Sequence, residues 1–72
     1  MTLKDLKPGQ QGCVLSLGEK GPIRRRLMDM GVTPGTFIKV VKVAPLGDPV
    51  EVNIRGYELS LRKDEASQIE VQ

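Results

Sequence analysis

The clearest pattern in the chain is an alternation of apolar and polar residues over positions 50–61. The apolar members of this alternation are Val50, Val52, Ile54, Tyr57, Leu59 and Leu61. A two-residue turn at Arg55-Gly56 pairs the two halves and brings all of these side chains to one face, with Ile54 opposite Tyr57. The pattern therefore predicts an antiparallel hairpin with one buried face. Arginine is not a favoured first turn residue, so a one-residue bulge is left open.

Two further β-strands are predicted upstream of the hairpin. Residues 11–17 alternate, but Val14 leaves open which face of this strand meets the core. Residues 36–44 are rich in β-branched side chains, and their alternation slips between Val40 and Val41. In a small barrel such a slip indicates a bulge or bend that lets one strand serve two sheets. A short closing strand is predicted over 69–71.

A short helix is predicted between Pro22 and Met30. Pro22 suits the first position of a helix, and Gly31 suits the position just past its end. One apolar stripe at helical spacing is formed by Ile23, Leu27 and Met30. Because a helix this short is not stable alone, we expect the stripe to close one side of the core. The opposite face presents Arg25, Met28 and Asp29, with Arg24 and Arg26 on its flanks.

The remaining segments are predicted to be short turns. Residues 1–6 read as one helical turn with Thr2 as its N-cap, and residues 62–68 as a polar, solvated helical turn. Antiparallel strands of this number hide their edges best by curling into a small barrel. The predicted fold class is therefore mainly β: a small SH3-like five-stranded barrel with one short α-helix and helical turns, forming a single domain over residues 1–72.

The composition of the 7.9 kDa chain is that of a globular protein, with 39% hydrophobic and 28% charged residues. Its one cysteine cannot form an internal disulfide. Since no long apolar run is present, we expect no signal peptide and no membrane insertion. The sequence predicts a soluble cytoplasmic protein with a reduced thiol.

Several function classes are disfavoured by the residue types that are scarce. The chain has one Phe, one Tyr and no Trp, and one of the two rings is expected in the core. Surfaces that stack nucleic-acid bases or bind polyproline need several aromatic side chains, so neither is expected. Without histidine, the chain lacks the usual general base and the usual partner that activates a cysteine. No glycine-rich phosphate-binding loop precedes a helix either. We therefore predict no enzyme activity, no catalytic residues and no cofactor.

Several motifs in order along the chain resemble the FeoA family, the small cytosolic component of bacterial ferrous iron uptake. They are Leu3–Gly9 (Leu-x-x-Leu-x-Pro-Gly), Arg25–Gly35, Ala44–Pro49, Arg55–Tyr57 and Leu61–Ala66. The resemblance implies an SH3-like barrel and an accessory role beside FeoB, a membrane transporter with a cytosolic GTP-binding domain. A similar module forms the C-terminal domain of some iron-dependent repressors. No DNA-binding helices precede it here, so repressor function is not implied.

The family name suggests iron, yet the side chains argue against a tight iron site in one chain. Iron(II) sites use imidazole, thiolate or clustered carboxylates, and this chain has no histidine and one cysteine, Cys13. We therefore predict no metal ligands. Transition-metal binding would be attributed to the chain only because of its family membership, without a site in the monomer. A carboxylate site or one shared between chains stays open. The alternative function is thus a metal- or small-ligand-binding sensor acting as a dimer, and a weak homo-oligomer is also left open.

Candidate partner-binding residues lie on the helix and on the loop at 44–49. Arg24 and Arg25 would put positive charge in the first turn of the helix, against its macrodipole, which suits an acidic partner. The alternative is a solvated face with Arg25 or Arg26 paired to Asp29. An exposed Met28 would suit partner packing, although it could lie under a loop.

The loop contributes Leu46 at its tip and Asp48. Two prolines and a glycine hold this tip in shape, which lowers the ordering cost of binding. The alternative is a rigid connector with Leu46 folded back as a lid on the barrel. The predicted partner is the cytosolic domain of a FeoB-like transporter.

Overall fold

A computed structural model describes residues 1–72 and contains five strands, two α-helices and one 3₁₀ turn. In chain order these are the 3₁₀ turn Leu3–Asp5, β1 Gln11–Ser16, α1 Pro22–Asp29, β2 Phe37–Val43, β3 Val50–Ile54, β4 Tyr57–Leu61, α2 Lys63–Ser67 and β5 Glu70–Val71. The strands form one sheet in the order β4-β3-β2-β1-β5, with every pair antiparallel. The predicted mainly-β architecture is confirmed.

The β3–β4 hairpin has the predicted register. Ile54 pairs with Tyr57 and Val50 pairs with Leu61 without interruption, so the alternative of a bulge at the turn is wrong. Arg55 and Gly56 both have positive φ, 53° and 86°. Such a turn matches the right-handed twist of the flanking strands, which explains why the register is kept despite an arginine in this conformation.

Irregularities in β1 and β2 let the sheet curl around the hydrophobic core. The predicted slip in β2 is confirmed as a register shift between Val40 and Lys42, and a second shift lies between Val14 and Ser16 in β1. A bulge bends its strand and increases the local twist. All five strands contribute to the same buried cluster, so the sheet encloses one core. That cluster consists of Leu3, Val14, Leu17, Leu27, Val32, Ile38, Val40, Val50, Val52, Ile54, Leu61, Ala66, Ile69 and Val71.

The inner face of β1 is the one that carries Gly12 and Val14. A Cβ at Gly12 would lie 3.1 Å from Cβ of Val71, so the small residue permits close packing against β5. Leu15 points away from the core and is 48% exposed, whereas Leu17, beyond the register shift, is buried. The shift explains why a single alternation cannot describe this segment.

Two expectations about burial on α1 and in the aromatic residues are wrong. Ile23 is 39% exposed although Leu27 on the same stripe is fully buried, because only the C-terminal half of α1 meets the core. Neither aromatic ring is in the core: Phe37 and Tyr57 are 62% and 46% exposed. Phe37 lies on the outer face of the sheet beside inward-facing Ile38, and Tyr57 extends toward the end of α1.

The expectation that the 62–68 turn is solvated is wrong for two of its residues, because Glu65 and Ala66 are buried in α2. Oε1 of Glu65 accepts a hydrogen bond from the backbone N–H of Arg62 at 2.9 Å, and Oε2 lies 3.3 Å from a guanidinium nitrogen of Arg26. A buried carboxylate is tolerated when it is paired and hydrogen-bonded in this way. At the other end of the chain, Thr2 stands at the predicted N-cap position of the 3₁₀ turn, and its backbone N–H donates to the Asp5 carboxylate at 2.9 Å.

Candidate interaction surface on helix α1

Helix α1 is held to the barrel mainly at its C-terminal end. Gly31, with a φ of +93°, ends the helix in a conformation that suits glycine. Beside it, the hydroxyl of Tyr57 donates a hydrogen bond to the carbonyl oxygen of Met30 at 2.8 Å. Leu27 is fully buried, and Arg26 reaches Glu65 of α2. These contacts set which face of the helix points to solvent.

The outward face of α1 and the two residues before it line an open groove of about 420 Å³. Its lining residues are Lys20, Gly21, Arg24, Arg25, Met28 and Asp29. The side chain of Met28 is 44% exposed, which removes the alternative that it lies under a loop. The groove thus combines three cationic side chains and one carboxylate with a flexible apolar side chain. We call this set of six residues the α1 surface.

The positive charge of the α1 surface is not neutralised within the chain. None of the three ion pairs in the structure includes Arg24 or Arg25. The alternative in which Arg25 or Arg26 pairs with Asp29 is wrong, because Arg26 pairs with Glu65 instead. Two guanidinium groups therefore remain available to acidic groups of another molecule.

Leu46 stands on the tip of the loop between β2 and β3. Its side chain is 91% exposed, so the alternative of a lid folded onto the barrel is wrong. The N–H of Gly47 donates to the carbonyl oxygen of Ala44 at 2.8 Å, and Gly47 has a φ of +82°. This tight turn presents Leu46 outward.

Asp48 lies apart from the α1 surface. One of its carboxylate oxygens accepts a hydrogen bond from the backbone N–H of Lys63 at 3.1 Å, which ties the loop to the start of α2. Asp48 also lines a second, more polar recess of about 380 Å³ together with Arg26, Pro49, Ser60, Leu61, Arg62 and Glu65. The structure thus brings Arg24, Arg25 and Met28 together, whereas Asp48 and Leu46 line no part of that groove.

A part of the surface that sequence reasoning missed is the outer face of β1 and β2. Phe37 and Leu15 are exposed there, and Cys13 pairs with Phe37. The adjacent apolar residues Phe37 and Ile38 could have signalled it, since only one of two neighbours on a strand can face the core.

The side chains of the chain do not fit a resident metal ion. No three His, Cys, Asp or Glu side chains come together in an arrangement that could hold one. Oε1 of the buried Glu65 carboxylate accepts the N–H of Arg62, whereas Oε2 accepts no hydrogen bond and is only charge-paired with Arg26 at 3.3 Å. Moreover, no helix has the length and apolar character needed to cross a membrane.

The relatives found by comparison with known proteins agree with one another. The model of the FeoA domain matches residues 1–72. The chain is 40% identical over 72 residues to the Fe(2+) transport protein A/Fe(2+) transporter FeoB fusion protein of Porphyromonas gingivalis; this covers 100% of the chain and 8% of that relative. The chain therefore spans less than a tenth of the length of this relative.

Two solved structures extend the comparison. The FeoA protein of Chlorobium tepidum is 46% identical, with a TM-score of 0.90 over 100% of this chain and 69% of that one. Stenotrophomonas maltophilia FeoA complexed with zinc, described as an SH3 domain protein, is 29% identical, with a TM-score of 0.88 over 100% of this chain and 89% of that one. These likenesses confirm the predicted SH3-like fold. Since the family model covers the whole sequence, the chain belongs to the FeoA domain family.

Proposed function

We propose that the protein is a non-enzymatic, cytosolic accessory protein of ferrous iron uptake that contacts the cytosolic part of a FeoB-type transporter. The observation that carries this proposal is the fusion relative, in which a segment 40% identical to all 72 residues shares one polypeptide with FeoB. Fusion holds two modules at a fixed ratio and at high effective concentration. Such an arrangement is expected of modules that work in contact.

The α1 surface supplies the chemistry for this contact. Arg24 and Arg25 lack acidic partners within the chain, so they complement carboxylates on another protein and speed its approach. Met28 offers a flexible apolar side chain that adapts to a partner surface.

The Leu46 loop is a second contact point. Its turn is already formed in the free protein, so little ordering accompanies binding. Asp48 supports this loop through its hydrogen bond to the N–H of Lys63.

The mechanism that fits such an adaptor is a population shift. A protein that binds one conformation of the transporter's cytosolic domain more tightly than another raises the population of that conformation. No bond is made or broken by the adaptor itself. The transported ferrous ion need not touch this chain.

The test is a binding titration with the cytosolic domain of the FeoB protein encoded in the same genome, in each nucleotide state. We expect Met28→Asp and Leu46→Asp each to weaken binding by about tenfold, because each puts a charge where an apolar contact is buried. Val41→Asp is the control, since Val41 lies on β2 and is 42% exposed, close to the 44% of Met28. Thermal unfolding of each variant verifies that the fold is kept.

Two results would contradict the proposal. One is the absence of binding by the parent protein in every nucleotide state. The other is stoichiometric iron or zinc in a purified dimer, measured by elemental analysis and solution mass, which would favour the metal-sensor alternative.

A further inference from the structure

The outer face of β1 and β2 carries an apolar patch that the core does not use. Phe37 pairs with Cys13 across the two strands, and Leu15 is the next outward residue of β1. Phe37 is 62% and Leu15 48% exposed, while Cys13 is half-buried. We call Cys13, Leu15 and Phe37 the Phe37 patch. Contiguous exposed apolar side chains of this kind mark interaction sites more often than isolated ones do.

Folding does not account for the patch. The inward neighbours on the same strands, Val14 and Ile38, are 1% and 0% exposed and already supply the core contacts. An outward position of a sheet with one solvated face is ordinarily polar. Phe37 and Leu15 both depart from that rule.

Two cations border the Phe37 patch, and neither has an acidic partner. Lys39 is the next outward residue of β2, where it pairs with neutral Gln11 on one side and neutral Asn53 on the other. Arg55 follows Ile54, the partner of Ile38, and so lies beside the start of β2. None of the ion pairs of the chain includes Lys39 or Arg55.

The guanidinium group of Arg55 is held in place before any partner arrives. Its Nη2 donates to the hydroxyl oxygens of Thr33 and Thr36, at 3.3 Å in each case. Arg55 is also the one non-glycine residue with positive φ, at a turn position where Asn or Gly is favoured. A charged side chain kept in a disfavoured backbone conformation is a feature typical of functional positions.

We propose that the Phe37 patch, together with Lys39 and Arg55, is a docking surface for an acidic amphipathic segment of another protein. A large apolar side chain of that segment would lie against Phe37 and Leu15, and flanking carboxylates would pair with Lys39 and Arg55. The surface is distinct from the α1 surface, and the inference does not depend on the proposed function.

A lipid surface fits this site less well than a protein segment does. Each lysine or arginine near an anionic membrane contributes only about 1 kcal/mol, and two cations with two exposed apolar side chains fall short of stable anchoring. An acidic segment instead matches both the apolar centre and the positive border.

The test is a two-dimensional amide NMR titration of the protein with two synthetic helical peptides. Both carry the same leucine face, which is flanked by glutamates in one peptide and by lysines in the other. We expect the glutamate peptide to shift amides of residues 13–15, 36–39 and 55, and the lysine peptide to leave them nearly unchanged. Vesicles of anionic phospholipid form a third arm.

Two variants separate the apolar and the charged contributions. Phe37→Ser is expected to weaken binding of the glutamate peptide by about tenfold. Arg55→Asn keeps a residue that accepts positive φ, so we expect an intact hairpin and about threefold weaker binding, a difference that disappears at high salt. Val41→Ser, an exposed position on the same strand, is the control and leaves the affinity unchanged.

The proposal is overturned if both peptides bind equally or neither binds. It is likewise overturned if the shifts fall on α1, or if anionic vesicles bind through Phe37 while the glutamate peptide does not. Unchanged melting temperatures for the variants show that the affinities report on the surface and not on unfolding.

Discussion

The two aromatic side chains lie in contrasting surroundings although both are exposed. Tyr57, at the start of β4, spans to α1, where its hydroxyl donates to the carbonyl of Met30 at 2.8 Å. Phe37, at the start of β2, has no polar group and lies on the outer face of the sheet. Tyr57 therefore links β4 to the end of α1 through a hydrogen bond, whereas most of Phe37 is open to solvent.

This contrast teaches that exposure alone does not distinguish a structural residue from a contact residue. What distinguishes them is whether the side chain has partners within the chain. By that criterion Tyr57 belongs to the support of α1, and Phe37 is available to another molecule. Substitutions around each ring can test this division.

The largest expected effect comes from the inward neighbour of Phe37. Ile38→Ala removes a fully buried side chain from the core, and we expect it to lower the free energy of unfolding by about 2–5 kcal/mol. Phe37→Ala should change it by no more than about 0.5 kcal/mol, as is usual for surface positions. Chemical denaturation measures both. Equal losses at Ile38 and Phe37 would mean that Phe37 contributes to folding as a core residue does, and would contradict its assignment as a contact residue.

A smaller effect is expected at Gly31, on the Tyr57 side. A Cβ at this residue would lie 2.8 Å from the hydroxyl oxygen of Tyr57, and the φ of +93° is strained for alanine. We expect Gly31→Ala to lower the free energy of unfolding by about 3 kcal/mol and Gly35→Ala by about 1 kcal/mol, the upper and lower ends of what a strained φ costs, because only Gly31 is also crowded. Gly35→Ala is the matched control, because its φ is +90° and no atom lies within 4 Å. A control that loses as much as Gly31→Ala would mean that Tyr57 does not crowd Gly31.

The smallest effect is expected from removal of the hydroxyl itself. Tyr57→Phe loses one hydrogen bond to Met30 and should lower the free energy of unfolding by about 1 kcal/mol. In a Gly31→Ala background, where this bond is already displaced, the same substitution should cost less. A double-mutant cycle by thermal or chemical unfolding measures the difference. If the losses in the free energy of unfolding from the two substitutions simply add, Gly31 and the Tyr57 hydroxyl are not energetically coupled.

The parts of the fold that the sequence predicts best are those in which the apolar residues can be buried in only one arrangement. In the β3–β4 hairpin only one face is apolar, so a shift of one residue would expose every apolar side chain. The register could therefore be predicted pair by pair. The ends of α1 were predicted for a similar reason, since Pro22 and Gly31 suit few other positions.

The parts that could not be predicted depend on contacts between distant segments. β1 carries apolar residues on both faces, so periodicity cannot distinguish Val14, which packs in the core, from Leu15 on the outer face. Burial of Glu65 depends on Arg26, which belongs to another helix. Exposure of Leu46 depends on a loop conformation that its composition only partly specifies.

The two ends of helix α1 differ in how firmly they are attached to the barrel, and the first turn is the weaker one. The residue before its first turn, Gly21, offers no side-chain cap, and Ile23 on that turn is partly exposed. This turn can fray while the remainder of the molecule stays folded, so its amide protons should exchange with solvent sooner than those of the last turn. A partner that binds Arg24 and Arg25 must also arrest this fraying, and the entropy lost in doing so favours a short-lived complex over a permanent one.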